Sequence, residues 1–194
     1  MTTPRPAPAP AVPAPPFRLA GHGLVLRDWT DQDVPAMTAL FDDPEVARWT
    51  PLVDTEAARR YLVRSQEARS GGRRLQLAVT LDGRVPLGEV VLMLRDEQGE
   101  VELGYLIGAL YRGQGLSARA VRLLTGFAYD SLGARRVVLR IAPANAPSIA
   151  VARTTGFELA DEPPTVIHDP TGAEITLRLW EHLGAPGIRR PQPV

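Results

Sequence analysis

Apolar positions along this 194-residue chain switch repeatedly between a period of two and a period near 3.6. "GLVLRDW" reads as a short strand. It enters "TDQDVPAMTALF", where Thr30 or Asp31 can cap a helix with Val34, Met37, Leu40 and Phe41 on one face. "DTEAARRYLVRSQEARSGG" is a second helix with Asp54 near its start and Gly71 at its end, and the intervening "DDPEVARWTPLV" reads as an irregular connector. Then "RLQLAVT", "VPLGEVVLML" and "VELGYLI" form a strand meander joined by the Asp-Gly turn of "LDGR" and the Gln-Gly turn of "RDEQGE". In the third strand Val101, Leu103 and Tyr105 face one way, and Glu102, Gly104 and Leu106 the other.

Beyond "GALYRGQG" the period returns to helical. "LSARAVRLLTGFAYDSLG" gathers Leu116, Ala120, Leu123, Leu124 and Phe127 into one stripe closed by Gly133. A strand "ARRVVLRIAP", a short helix "NAPSIAVARTTG", a strand "FELADE", a hairpin loop "DEPPTVIHDPTGAE" and a last strand "AEITLRLWEHL" complete the order. Two helices, a meander, a strand–loop–helix–strand unit and further paired strands describe a mixed α/β (α+β) domain without regular βαβ repetition.

Composition narrows the picture. Residues 1–16, rich in Pro and Ala, and the end "GAPGIRRPQPV" read as flexible tails around one domain over 17–183. A net charge of zero gives no global field for nucleic acid, and no apolar run approaches a membrane span. A cytoplasmic protein is expected, since proline interrupts each apolar stretch at the start. The chain has no cysteine, and His22, His168 and His182 lack ligand spacing, so no metal is expected. Every basic residue is Arg, which reads as coding bias rather than chemistry.

The stretch "YRGQGLSA" carries the first candidate chemistry. Gly113 and Gly115 let the backbone approach an anion, the following helix offers unpaired N–H groups, and Arg112 adds charged donors. A plain glycine turn capped by Ser117 is the bland alternative. A Rossmann turn would need an acid about 20 residues on, where this chain has "APAN", and a Walker loop would need G-K-[ST].

"RGQGLS" resembles the Q/R-x-x-G-x-G/A motif of the GNAT N-acetyltransferases, with "VELGYLI" before it, "NAPS" after the next strand and "TTGF" closing the short helix. The order of these features is most similar to the RimJ/RimL-like branch, over roughly Phe17 to Leu183. The resemblance implies a mostly antiparallel central sheet with helices on both faces and a V-shaped splay. It also implies acetyl-CoA as cosubstrate, held by Leu106, Ile107, Arg112, Gly113, Gln114, Gly115, Leu116, Ser117, Asn145 and Ser148. Partners would be an amine acceptor, a protein N-terminus or a small molecule, and a homodimer is allowed. Two departures stand out: Ser117 occupies a usual Gly or Ala position, and Ala152 stands where many members have a tyrosine that protonates the departing thiolate.

Acetyl transfer from a thioester to an amine needs a neutral amine, a stabilised oxyanion and a proton for the departing thiolate. An α-amine near 7.7–8.0 is appreciably neutral at pH 7, whereas a lysine amine near 10.4 is not. Glu102 is the expected base, against a solvent-facing carboxylate as its plain alternative; Glu89 is a second, acceptor-side candidate. Ser148 lies one helical turn before Ala152 and is the expected replacement proton donor, against a cap or pantetheine contact. Asn145 is read as cofactor contact and helix cap together, Arg153 as a solvated arginine, and Trp49 as an acceptor-pocket wall or a packing aromatic. The expected function is an acetyl-CoA-dependent N-acetyltransferase working by direct attack; the alternative is a noncatalytic acyl-CoA-binding module.

Overall fold

The computed structural model describes residues 11–47, 49, 54–96 and 99–184. Within them the elements run β1 (Arg18–Gly21), β2 (Leu24–Arg27), α1 (Val34–Phe41), α2 (Pro44–Ala47), α3 (Thr55–Ser70), β3 (Arg74–Thr80), β4 (Gly88–Leu94) and β5 (Glu100–Ile107). There follow α4 (Leu116–Asp130), β6 (Arg136–Ile141), α5 (Ala146–Thr154), β7 (Glu158–Leu159), β8 (Thr165–His168) and β9 (Glu174–Leu183). Single 3-10 turns precede α1 at Asp31–Asp33 and α4 at Ala109–Tyr111.

The strands join in the order β1-β2-β3-β4-β5-β6-β9-β7, with β8 on β9. Among the described strands, β5 and β6 alone run parallel; the other pairs are antiparallel. Alternation sends Val90, Leu92, Val101, Leu103 and Leu139 to one face, where they pack with Leu116, Ala120, Val121 and Leu124 of α4. The opposite face of β3, with Ala78, meets Met37 and Phe41 of α1 and Ala58 and Leu62 of α3. Helices therefore cover both faces, as the resemblance implied, and none of those described is long and apolar enough to cross a membrane.

The local signals explain where the elements begin. Asp54 Oδ1 accepts the Ala57 N–H at 2.7 Å, so α3 starts on a side-chain cap. At α1, the buried Asp33 accepts the Thr30 N–H at 2.9 Å and takes a two-pronged contact from Arg27 at 2.7 and 2.8 Å. Thr30 is the N-cap of the 3-10 turn leading into α1 and forms a capping box with Asp33, which through Arg27 also fastens that start to β2.

Three segments differ from the sequence reading. The connector contains the short helix α2, and the loop "DEPPTVIHDPTGAE" contains β8, whose partner is β9. Residues 11–16, expected within a flexible tail, are held: Val12 is buried, its N–H donates to the Gly72 carbonyl at 2.8 Å, and Arg69 Nε donates to the Pro13 carbonyl at 2.8 Å. One buried apolar side chain, one backbone–backbone bond and one bond from the Arg69 side chain offset the ordering entropy that the proline content suggested. Residues 1–10, 48, 50–53 and 185–194, on which the remaining tail and connector expectations fall, lie outside the described residues.

Candidate active site

The parallel pairing between β5 and β6 covers Glu100↔Arg136, Val101↔Val137 and Glu102↔Val138, and among the described residues it goes no further. Past that point β5 keeps its partner β4 through Ile107, while β6 keeps β9. The two strands part. A cleft of about 550 Å³ opens where they separate, walled by Tyr105, Leu106 and Ile107 on one side and by Asn145, Pro147, Ser148 and Val151 on the other.

The start of α4 closes the end of this cleft. Gly113 and Gly115 take φ of +76° and +70°, a region that side chains disfavour, and a Cβ built on either meets nothing within 4 Å. Gly115 is the N-cap of α4 and no side chain caps that helix; its first backbone bond is Arg119 N–H to Gly115 carbonyl at 3.1 Å. The N–H groups of Leu116, Ser117 and Ala118 belong to the uncapped first turn, and all three residues wall the cleft. An open backbone curve ending in a helix start suits an anionic group such as a diphosphate.

Arg112 also borders the cleft, but its guanidinium is engaged elsewhere. Nη2 pairs with Asp43 at 3.1 Å, Nη1 with Glu45 at 2.8 Å, and Nε donates to the Ile107 carbonyl at 3.0 Å. The expected charged phosphate donor thus ties the loop to α2, because two carboxylates within reach compete for it. Gln114 is exposed on the loop and does not wall the cleft.

Asn145 Oδ1 accepts the Ser148 N–H at 3.0 Å, capping α5 while facing the cleft. Trp49 borders the cleft with 42% of its surface exposed. Tyr105, which the alternation assigns to the core, sends its hydroxyl into the cleft wall. That oxygen is buried without a hydrogen bond of ordinary geometry; burial raises its pKa, and the nearby Ser148 hydroxyl opposes the rise.

The two carboxylates have different surroundings. Glu102 sits at the last β5–β6 pair, outside the cleft walls, where Arg95 Nε and Arg140 Nε both lie 3.1 Å from its Oε2. Glu89 on β4 is opposite Leu106 and fully buried. Tyr61 of α3 donates to its Oε1 at 2.6 Å, Gln76 donates to the Tyr61 oxygen in turn, and Oε2 has no partner. Burial pushes the Glu89 carboxyl up to about 7, against the pull of Tyr61, Arg74 and the indole of Trp29 beside it. Glu89, like Glu102, is not among the residues that wall the cleft, but it lies on the strand adjoining the splayed edge and its carboxyl is raised toward neutrality.

A larger cavity of about 650 Å³ lies between residues 12–15 and α3. Neither the glycine turn nor the start of α4 faces it, so the anion-binding geometry belongs to the smaller cleft.

Comparison with known proteins agrees with this geometry. The sequence model of the family described as acetyltransferase (GNAT) domain matches residues 23–158. The uncharacterized N-acetyltransferase p20 of Bacillus licheniformis is 26% identical over 143 residues, 70% of this chain and 79% of p20. Among solved structures, RimL, a ribosomal L7/L12 α-N-protein acetyltransferase in complex with coenzyme A, superposes with a TM-score of 0.75 at 18% identity. That match covers 86% of this chain and 98% of RimL. RimJ of Mycobacterium smegmatis, in complex with CoA-disulfide, superposes with a TM-score of 0.72 at 18% identity, covering 88% of each chain. At these identities the two structures share the fold.

Proposed function

The chain belongs to the GNAT acetyltransferase domain family and is an acetyl-CoA-dependent acetyltransferase, and from that premise we propose that its acceptor is the α-amine of a protein N-terminus, attacked directly. The observation that carries the site assignment is the meeting of the uncapped α4 turn with the splayed edge of β5 in one cleft.

Acetyl-CoA bound there supplies an activated thioester. The backbone amides of Gly113 through Ala118 would hold its pyrophosphate, and the freed edge of β5 at Leu106 or Ile107 would offer an N–H to the developing oxyanion. Ser148, on the opposite wall, would be the hydroxyl available to its sulfur. Glu89, one strand behind Leu106, takes the proton of the incoming amine through a water molecule. A carboxylate held near 7 matches an α-amine near 7.7–8.0 far better than a lysine amine near 10.4, which favours the N-terminal acceptor. Direct attack is consistent with a sequence that has no cysteine to carry an acetyl group. RimL, whose acceptor is an α-amine by its own description, shares the fold and supports the same choice.

The test is a thiol-release assay with acetyl-CoA across peptide N-termini, amino acids, polyamines and aminoglycosides. Turnover confined to peptide α-amines is expected. Preference for a polyamine or aminoglycoside would overturn the acceptor assignment, and failure of every amine despite tight CoA binding would overturn catalysis itself.

A further inference from the structure

A buried carboxyl serves as a base only if its anion is held when the amine arrives, and the donors that hold Glu89 come from α3 and β3. Tyr61 of α3 donates to Glu89 Oε1 at 2.6 Å. The Tyr61 ring rests against Phe41 of α1, with centroids 5.5 Å apart, and this contact fixes where its hydroxyl points. Gln76 of β3 donates from its amide nitrogen to the Tyr61 oxygen, and that nitrogen accepts nothing in return, so the single phenolic proton is directed at Glu89. The chain from Gln76 through Tyr61 to Glu89 has one direction. The other groups facing the carboxyl are the Arg74 charge from β3 and the Trp29 indole from the loop after β2, while α1 and β5 present the apolar Met37, Phe41 and Leu106.

We propose that Tyr61 is a positioning residue for acetyl transfer: its hydroxyl, aimed by Gln76, holds the Glu89 carboxylate in the form and orientation that accepts the proton of the amine. The inference rests on the reading of Glu89 as the base. As the amine nitrogen bonds to the acyl carbon, its proton passes through water to Glu89, and Tyr61 keeps its own. Burial and the adjoining carboxylate push the phenol further above its ordinary value, so it stays a donor throughout. A phenol suits this task better than a directly bonded guanidinium would. It supports the anion against burial without adding a charge that would leave the carboxylate too weak a base near neutrality. Without the hydroxyl, burial acts on that oxygen unopposed, the acid form gains, and the pH at which Glu89 becomes a base rises.

The test has two arms, both on the full chain. In the first, with no ligand added, the side-chain carboxyl carbons of glutamate-labelled protein are titrated by NMR, and the Glu89 signal is the one absent from Glu89→Gln. Tyr61→Phe should move its midpoint up by about one pH unit, and Gln76→Met by a smaller amount in the same direction, because loss of the amide lets the phenol turn away. Gln76→Met carries the test if Tyr61→Phe does not fold. In the second arm, kcat is followed against pH with acetyl-CoA and a saturating peptide α-amine, so that the acid limb reports the bound enzyme. For Tyr61→Phe that limb should rise by the same amount, with kcat about fivefold lower at pH 7 and within about twofold of the wild type above about pH 9. A bond that only stabilises the fold would leave the limb where it is. A Glu89 titration unmoved in both variants would overturn the positioning role and leave Glu89 standing as the base. A shifted titration with an unmoved acid limb would overturn Glu89 as the base, and this role of Tyr61 with it.

Discussion

Glu102 and Glu89 occupy the same face of the sheet at opposite ends of one strand register, Glu102 opposite Met93 and Glu89 opposite Leu106. At the paired end, Glu102 shares one oxygen between Arg95 and Arg140. At the splayed end, Glu89 accepts from the Tyr61 phenol with the Trp29 indole and the Arg74 charge nearby, and burial still outweighs them and keeps its proton affinity high. The residue type is identical, so the contrast lies in the neighbours. Where β5 and β6 remain bonded, charge is spent on holding strands together; where they part, an unspent carboxylate adjoins the opening.

The largest effect that could break this contrast is on turnover. Glu89→Gln removes the proton acceptor and should lower kcat by about a hundredfold or more, with CoA affinity within about twofold of the wild type. Glu102→Gln should leave kcat within about threefold and instead lower stability by about 1–2 kcal/mol, because two arginines lose a partly shielded partner. Steady-state kinetics with the best peptide acceptor, alongside denaturant unfolding, compares them. Equal losses of kcat in both variants would erase the distinction.

A smaller effect tests whether Glu89 is protonated when folded. Its carboxyl is raised from 4.5 to about 7, so between those values the folded chain holds a proton that the unfolded chain has released. Its contribution to stability is whole below 4.5 and is lost as pH rises through about 7. The unfolding free energy of the wild type should therefore fall by on the order of 3 kcal/mol from pH 4.5 to 8, relative to Glu89→Gln. Parallel curves for wild type and Glu89→Gln would show that the carboxylate is charged in the folded state.

Short-range features of this molecule were legible in the sequence, and long-range partnerships were not. The alternation of "VELGYLI" and the stripe of α4 gave both elements, because a period of two or 3.6 is a local property. The glycine turn was legible for the same reason, since positive φ at Gly113 and Gly115 is written into the residue type. β8 was hidden by Pro163, Pro164 and Pro170 around it, and the seating of Val12 by its proline neighbours. The exchange of emphasis between Glu102 and Glu89 depends on Arg95, Arg140 and Tyr61, brought in from β4's end, β6 and α3. Tyr105 shows the limit most plainly: its period assigned the ring to the core, while the surroundings of its hydroxyl depend on where α5 places Ser148.

The smallest expected effect concerns Arg112, the cation that the sequence offers beside the glycine turn for a phosphate. Three of its nitrogens are already spent on Asp43, Glu45 and the Ile107 carbonyl, so its situation matches that of the arginines around Glu102 rather than that of a free ligand. With two carboxylates on one guanidinium, little positive potential is left for an anion, and the backbone amides of the turn must carry the attraction. Arg112→Ala should therefore weaken CoA by only about two- to threefold, with a comparable small change in stability from the loss of partly exposed ion pairs. Titration calorimetry with CoA at two ionic strengths measures this. A loss of tenfold or more, diminishing as salt is raised, would mean that Arg112 leaves Asp43 and Glu45 to bind the pyrophosphate, and that pairing in the ligand-free chain does not fix which charges are available to a ligand.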